Sequence, residues 1–113
     1  MVVFFGFALA SSMFSGDCTI SRKVMSIEAT RAIVGAGVVS CLNPSHVATI
    51  SAMTARYGLE VAVPERPPSV LLAEGDSALV MGVRGLPRLT DRHEYTSEEV
   101  AKATFEFVLY SVS

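Results

Sequence analysis

Apolar and polar positions alternate along this chain in short blocks whose period changes from block to block. The run Val2-Val3-Phe4-Phe5-Gly6-Phe7-Ala8-Leu9 is continuously apolar. A run of that length without polar interruption predicts a central strand buried on both faces, over 2–9. It is too short to cross a bilayer as a helix. No Lys or Arg precedes Arg22, so it lacks the positive flank of a signal peptide. After a loop at 10–16, a second strand is expected over 17–25. Ser26 then suits a helix N-cap, with the helix over 27–34 stopped by Gly35. Further strands are expected at 38–42, 60–63, 69–72, 77–83 and 105–110. A helix is expected over 44–57, its sheet-facing stripe formed by Val47, Ile50, Thr54 and Tyr57. Ala48, Ala52 and Ala55 line another side of it. They suit close approach of a second helix, across a two-fold axis in a symmetric dimer, or serve simply as good helix formers. The last helix should begin at Thr96, where Thr96 and Glu99 have the spacing of a capping box.

Strands interleaved with helices argue an α/β fold: one domain, a mixed β-sheet of five to six strands flanked by helices. At 113 residues the chain is long enough for a single core. Half of the residues are apolar, which suits a globular chain that also buries a dimer interface. The net charge is −2, so no general basic footprint for duplex nucleic acid exists. The two cysteines, Cys18 and Cys41, lack a CxxC partner, and only two histidines are present. A metal site is therefore not expected, nor a cofactor, and a reducing cytoplasm fits the cysteine usage.

Two segments carry candidate chemistry. The first is Leu42-Asn43-Pro44-Ser45-His46. Asn43 is a preferred cap and Pro44 suits the first helical position, so Asn43, Ser45 and His46 would surround a helix N-terminus. Its free N–H groups and dipole favour an anion such as phosphate. The second is the long loop 84–95, with Arg84, Arg88, Asp91, Arg92, His93 and Glu94. A loop of this length inside a compact domain is often functional, and arginine forks fit phosphate oxygens. Pairing of these arginines with Asp91, Glu94 and Glu98 is the plainer alternative. There is no GxSxG and no P-loop.

Taken in order, several pieces resemble one known family. They are Ser40 to Leu42, the helix end at Gly58-Leu59, Val61-Ala62-Val63 followed by Arg66, and Leu72-Ala73-Glu74-Gly75-Asp76. Ala78-Leu79-Val80, Gly85-Leu86-Pro87 and Phe105-Glu106-Phe107-Val108-Leu109 follow. Over roughly residues 38–110 this pattern resembles the small viral type III anti-CRISPR ring nucleases and their phage and bacterial relatives. The resemblance implies a dimer that holds a cyclic oligoadenylate. It adds Arg66, Ser11 and Ser12 as ligand contacts. The family's catalytic His and the Glu after it correspond here to Pro44 and Ser45. Its later Glu corresponds to Arg88, and its Arg to Gly85, beside Arg84. These departures favour binding over cleavage. The expectation is a viral or phage counter-defence protein, a homodimer sequestering a small nucleotide signal, either a cyclic oligonucleotide or an ADP-ribose derivative. Two alternatives stand beside it: a ring nuclease with His46 replacing the displaced His, and an interaction domain without ligand. No membrane partner is expected.

Overall fold

The computed structural model describes residues 2–90 and 92–113. Met1 and Asp91, the latter an expected ion-pair partner in the arginine loop, lie outside the described residues. The order is β1 (Val3–Gly6), a 3-10 turn (Ser11–Met13), β2 (Ile20–Met25), α1 (Ile27–Ala36) and β3 (Val39–Ser40). A second 3-10 turn (Pro44–His46) leads into α2 (Val47–Tyr57), followed by β4 (Ser77–Arg84), α3 (Ser97–Lys102) and β5 (Thr104–Val112).

The five strands form one mixed sheet in the order β2-β5-β4-β1-β3. β1 runs parallel to both β3 and β4, while β5 is antiparallel to β4 and β2. The expected α/β class and mixed sheet are present in a single domain. Alternation along β4 and β5 divides the core in two. Leu79, Met81 and Phe107 point to the helical side, where they meet Phe5, Leu42, Ile50, Met53 and Leu59. Ala78 and Val112 point to the other side, under Leu72, Met13 and Phe14. Full burial of such side chains contributes about 1.5–3 kcal/mol each, so the helical side dominates stability. Phe5, Met53 and Leu79 have no exposed surface there.

Helix boundaries follow local chemistry. Ser26 accepts from the Ala29 N–H at 3.1 Å, as a cap should. The helix does not stop at Gly35. It runs on through Ala36 to Gly37, whose φ of 113° is open to glycine at little cost. Gly35 is instead a helical residue, a modest and tolerated penalty. The capping box at α3 is formed in both directions, Glu99 N–H to Thr96 Oγ1 at 3.1 Å and Thr96 N–H to Glu99 Oε1 at 2.8 Å.

Three expectations need correction. The first strand covers only 3–6, the second begins at Ile20 and the third is two residues long. The segments 60–63 and 69–72 form no strand. Instead they lie as cover strips: Val61 packs on the helical core, and Val70 and Leu72 on the other side. Third, the buried stripe of α2 is Ile50, Met53 and Tyr57, whereas Val47 is 56% exposed. Extending the stripe backward by the same four-and-three spacing reaches His46, not Val47. The alanine side of α2 faces α3 of the same chain, which supplies the second helix within one molecule: Ala52 is buried, and Ala48 and Ala55 look across to Val100 and Ala101.

Candidate functional site

The parallel strands β1 and β3 both end at the same edge of the sheet, and the chain opens a cleft there. In α/β sheets this is the end at which ligands bind. The cleft has a volume of about 440 Å3. Its first wall is Gly6, Phe7 and Ala8 leaving β1, with Ser12 and Met13 from the 3-10 turn. The second wall is Cys41, Asn43 and His46, following β3. The third is Pro67, Pro68, Ser69 and Val70.

Backbone bonds hold the three walls together. The Cys41 N–H donates to the Phe5 carbonyl at 2.8 Å, extending the β1–β3 pairing toward the cleft. The Leu72 N–H donates to the Met13 carbonyl at 2.7 Å, tying the third wall to the first. The Ser40 hydroxyl, just before the second wall, donates to the Ala62 carbonyl on the segment that leads toward the third. These bonds satisfy backbone groups of Cys41, Phe5, Leu72 and Met13 and tie the segments around the cleft to one another.

Within the cleft, Asn43 adopts extended backbone and its Oδ1 accepts from the Ser45 N–H at 2.9 Å. It thus caps the turn 44–46, and α2 follows without interruption from Val47. His46 stands at the junction of turn and helix and stacks on Phe7, with ring centroids 5.6 Å apart and a tilt of 56°. Cys41 is half-buried, and burial pushes its thiol pKa up, so it is a protonated, unreactive thiol at neutral pH.

The fold brings Ser12 together with Asn43 and His46, which share one local turn, from two separate parts of the sequence. Ser11 and Ser45 are exposed next to them, without lining the cleft. Arg66 is exposed and precedes Pro67 of the third wall. Arg84 ends β4, Arg88 is exposed in the following loop, and neither lines the cleft. Arg92 is engaged elsewhere: it forms a two-pronged ion pair with Glu99 of α3, not with Glu94 or Glu98. Glu98 pairs with Lys102 at 2.8 Å. The loop reaches a different cavity, lined by Glu94 and Tyr95. The position corresponding to the resembled family's Arg, Gly85, has φ 88°, and a Cβ there would lie 3.6 Å from Ala103 Cα. A side chain at this place would strain the backbone.

Sequence reading missed Phe7, Cys41 and the Pro67-Pro68 wall. Phe7 is indistinguishable in the apolar run from the strand residues before it, and the structure ends β1 at Gly6. The prolines were legible only as a linker. Among the described residues no group of three His, Cys, Asp or Glu side chains could hold a metal, and no helix is long and apolar enough to cross a membrane.

No family model and no curated protein matches the chain. Among solved structures, its fold is similar to that of B116 of Sulfolobus turreted icosahedral virus. That comparison has a TM-score of 0.71 at 18% identity and covers 98% of this chain and 99% of that one. At this identity the likeness is one of fold: the whole chain shares its architecture with a viral protein.

Proposed function

We propose that this protein binds and sequesters a small nucleotide signal, acting as a viral counter-defence sponge. The observation that carries the reading is the convergence of an aromatic pair, Phe7 with His46, and polar groups of Ser12 and Asn43 in one cleft at the carboxyl ends of β1 and β3. A ring pair is a surface on which a base stacks. The turn beside it uses its own N–H groups internally, Ser45 on Asn43 Oδ1, His46 on the Asn43 carbonyl and Val47 on the Pro44 carbonyl, so in this reading side chains meet the phosphate. A fold shared with a viral protein and the ordered motifs over residues 38–110 support the counter-defence setting. Arg66 next to the third wall, Arg84 at the end of β4 and Arg88 in the loop after it would supply charge once the ligand is in place. In this reading a second copy of the chain completes the pocket.

A thermal-shift screen against cyclic oligoadenylates, cyclic dinucleotides and ADP-ribose tests the proposal. One class should raise the melting temperature, and Phe7→Ala and His46→Ala should remove the shift. Arg66→Ala, Arg84→Ala and Arg88→Ala should each weaken binding by about ten- to a hundred-fold, the loss of one charge-assisted bond. Chromatography of the released ligand separates capture from cleavage. Intact nucleotide supports the sponge. Repeated turnover abolished by His46→Ala would establish instead a ring nuclease in which His46 protonates a leaving oxygen. No shift with any class removes the nucleotide reading.

A further inference from the structure

A second cavity, of about 510 Å3, lies between α2 and α3, away from the cleft. Its floor is the small-residue side of α2, Ala48, Ala52 and Ala55. Its rim carries Arg56, Glu94 and the ring of Tyr95. The volume is in the range of small-molecule sites, roughly 300–1,000 Å3.

Arg56 is held in an unusual way. Its Nη1 donates to the backbone carbonyls of Val100 at 2.8 Å and Ala101 at 3.2 Å, and also to that of Ala103. The guanidinium also lies over the rings of Tyr57 and Phe105, 5.5 and 5.7 Å from their centroids. One nitrogen is thus fixed by the chain, and two adjoining rings, 5.4 Å apart, pack beside the guanidinium. Among the described residues no carboxylate pairs with it. A guanidinium immobilised through one nitrogen keeps the rest of its donor fork preorganised for an oxyanion. Glu94 is on the same rim and also forms no ion pair among the described residues. One fixed cation, one anion and an aromatic ring around an alanine floor are complementary to a ligand with a carboxylate, an ammonium group and a flat apolar body.

We propose that the α2–α3 cavity is a binding site for a small aromatic zwitterion of the amino-acid class. The carboxylate lies on Arg56, the ammonium on Glu94, and the ring slides between the alanine floor and Tyr95. The site is independent of the cleft at β1 and β3, since no residue lines both.

The test titrates the isotope-labelled full chain with L-phenylalanine and follows its amide resonances. Shifts should be confined to Ser51, Ala55, Ser97, Ala101 and their neighbours, with Ser12 and Asn43 unmoved. Phenylalaninamide, which lacks the carboxylate, and N-acetylphenylalanine, which lacks the ammonium, should each bind at least tenfold more weakly. Arg56→Lys keeps the charge but loses the fork, and should weaken binding at least tenfold. Because Arg56 also holds the end of α3, Ser51→Phe is the second variant: it fills the cavity from an exposed position, leaves Arg56 untouched, and should abolish the shifts. The proposal is overturned if millimolar L-phenylalanine moves none of these amides, or if Ser51→Phe binds as the parent does. Equal binding of N-acetylphenylalanine would remove the zwitterion assignment.

Discussion

Single side chains in this protein divide sharply into those that hold the fold and those free to serve a ligand. Leu79 is fully buried on the central strand and paired across to Leu109, so Leu79→Ala leaves a cavity in the helical-side core. Urea unfolding should show a loss of about 2–5 kcal/mol. Val24, 56% exposed on the edge strand, is the contrast: Val24→Thr should change stability by no more than about 0.5 kcal/mol. His46 belongs with neither extreme. It continues the stripe of Ile50, Met53 and Tyr57, yet it is exposed and packs on the ring of Phe7. Replacing His46 should therefore cost ligand before it costs stability, and the same unfolding experiment on His46→Ala checks this.

At the scale of elements, α3 shows how one short helix depends on its first turn. Its six residues are too few to persist by propensity, so capping and contact with α2 carry it. Thr96→Ala removes the cap and should cost about 1 kcal/mol, with faster amide exchange confined to the α3 backbone. The same turn is sensitive to acid. Hydrogen bonding to Arg92, then to the Thr96 N–H, lowers the Glu99 pKa from 4.5 to about 2. A carboxyl whose pKa is depressed by folding adds stability that is fully present above its unfolded value. That stability is lost as pH falls from about 4.5 toward about 2. Exchange at α3 should quicken across that window, and Glu99→Gln should flatten the response. Helix caps are legible because their chemistry is local: Ser26, Asn43 and Thr96 each cap a helix or turn at the position their residue type indicates. The segments 60–63 and 69–72 are not, because apolar alternation reports burial and a strand also needs a free neighbouring edge. Here the Ala62 carbonyl is taken by the Ser40 side chain and the Leu72 N–H by Met13 of a 3-10 turn, and neither segment joins a ladder. Part of the candidate site was readable in the same way, since Asn43 and His46 belong to one local motif. Ser12 and the proline wall join them only through the strand order, which places β1 between β4 and β3 and which no local pattern encodes.

For the whole molecule, exposed apolar side chains gather around the cleft. Val47, next to His46, is 56% exposed, and Leu71, just past the third wall, is 59% exposed; Val39 and Val63 are 39% exposed each. Apolar side chains scattered singly over a surface are ordinary, but these belong to the segments that build and border one concave site. The alanine side of α2 does not call for a partner, because α3 of the same chain already faces it. If a dimer forms, the apolar rim of the cleft is therefore the surface expected to meet the second copy. That arrangement would close the cleft from above and bring two sets of Arg66, Arg84 and Arg88 toward one ligand. Light scattering at micromolar concentration should then give about twice the 12.0 kDa of the chain. Val47→Asp together with Leu71→Asp should return the mass to that of one chain while leaving the circular dichroism spectrum unchanged, since neither side chain is in the core. Ligand affinity should fall in parallel with the loss of dimer. A parent protein that scatters as one chain, or a charged double variant that remains dimeric, would place the binding site within a single subunit or the interface on another face.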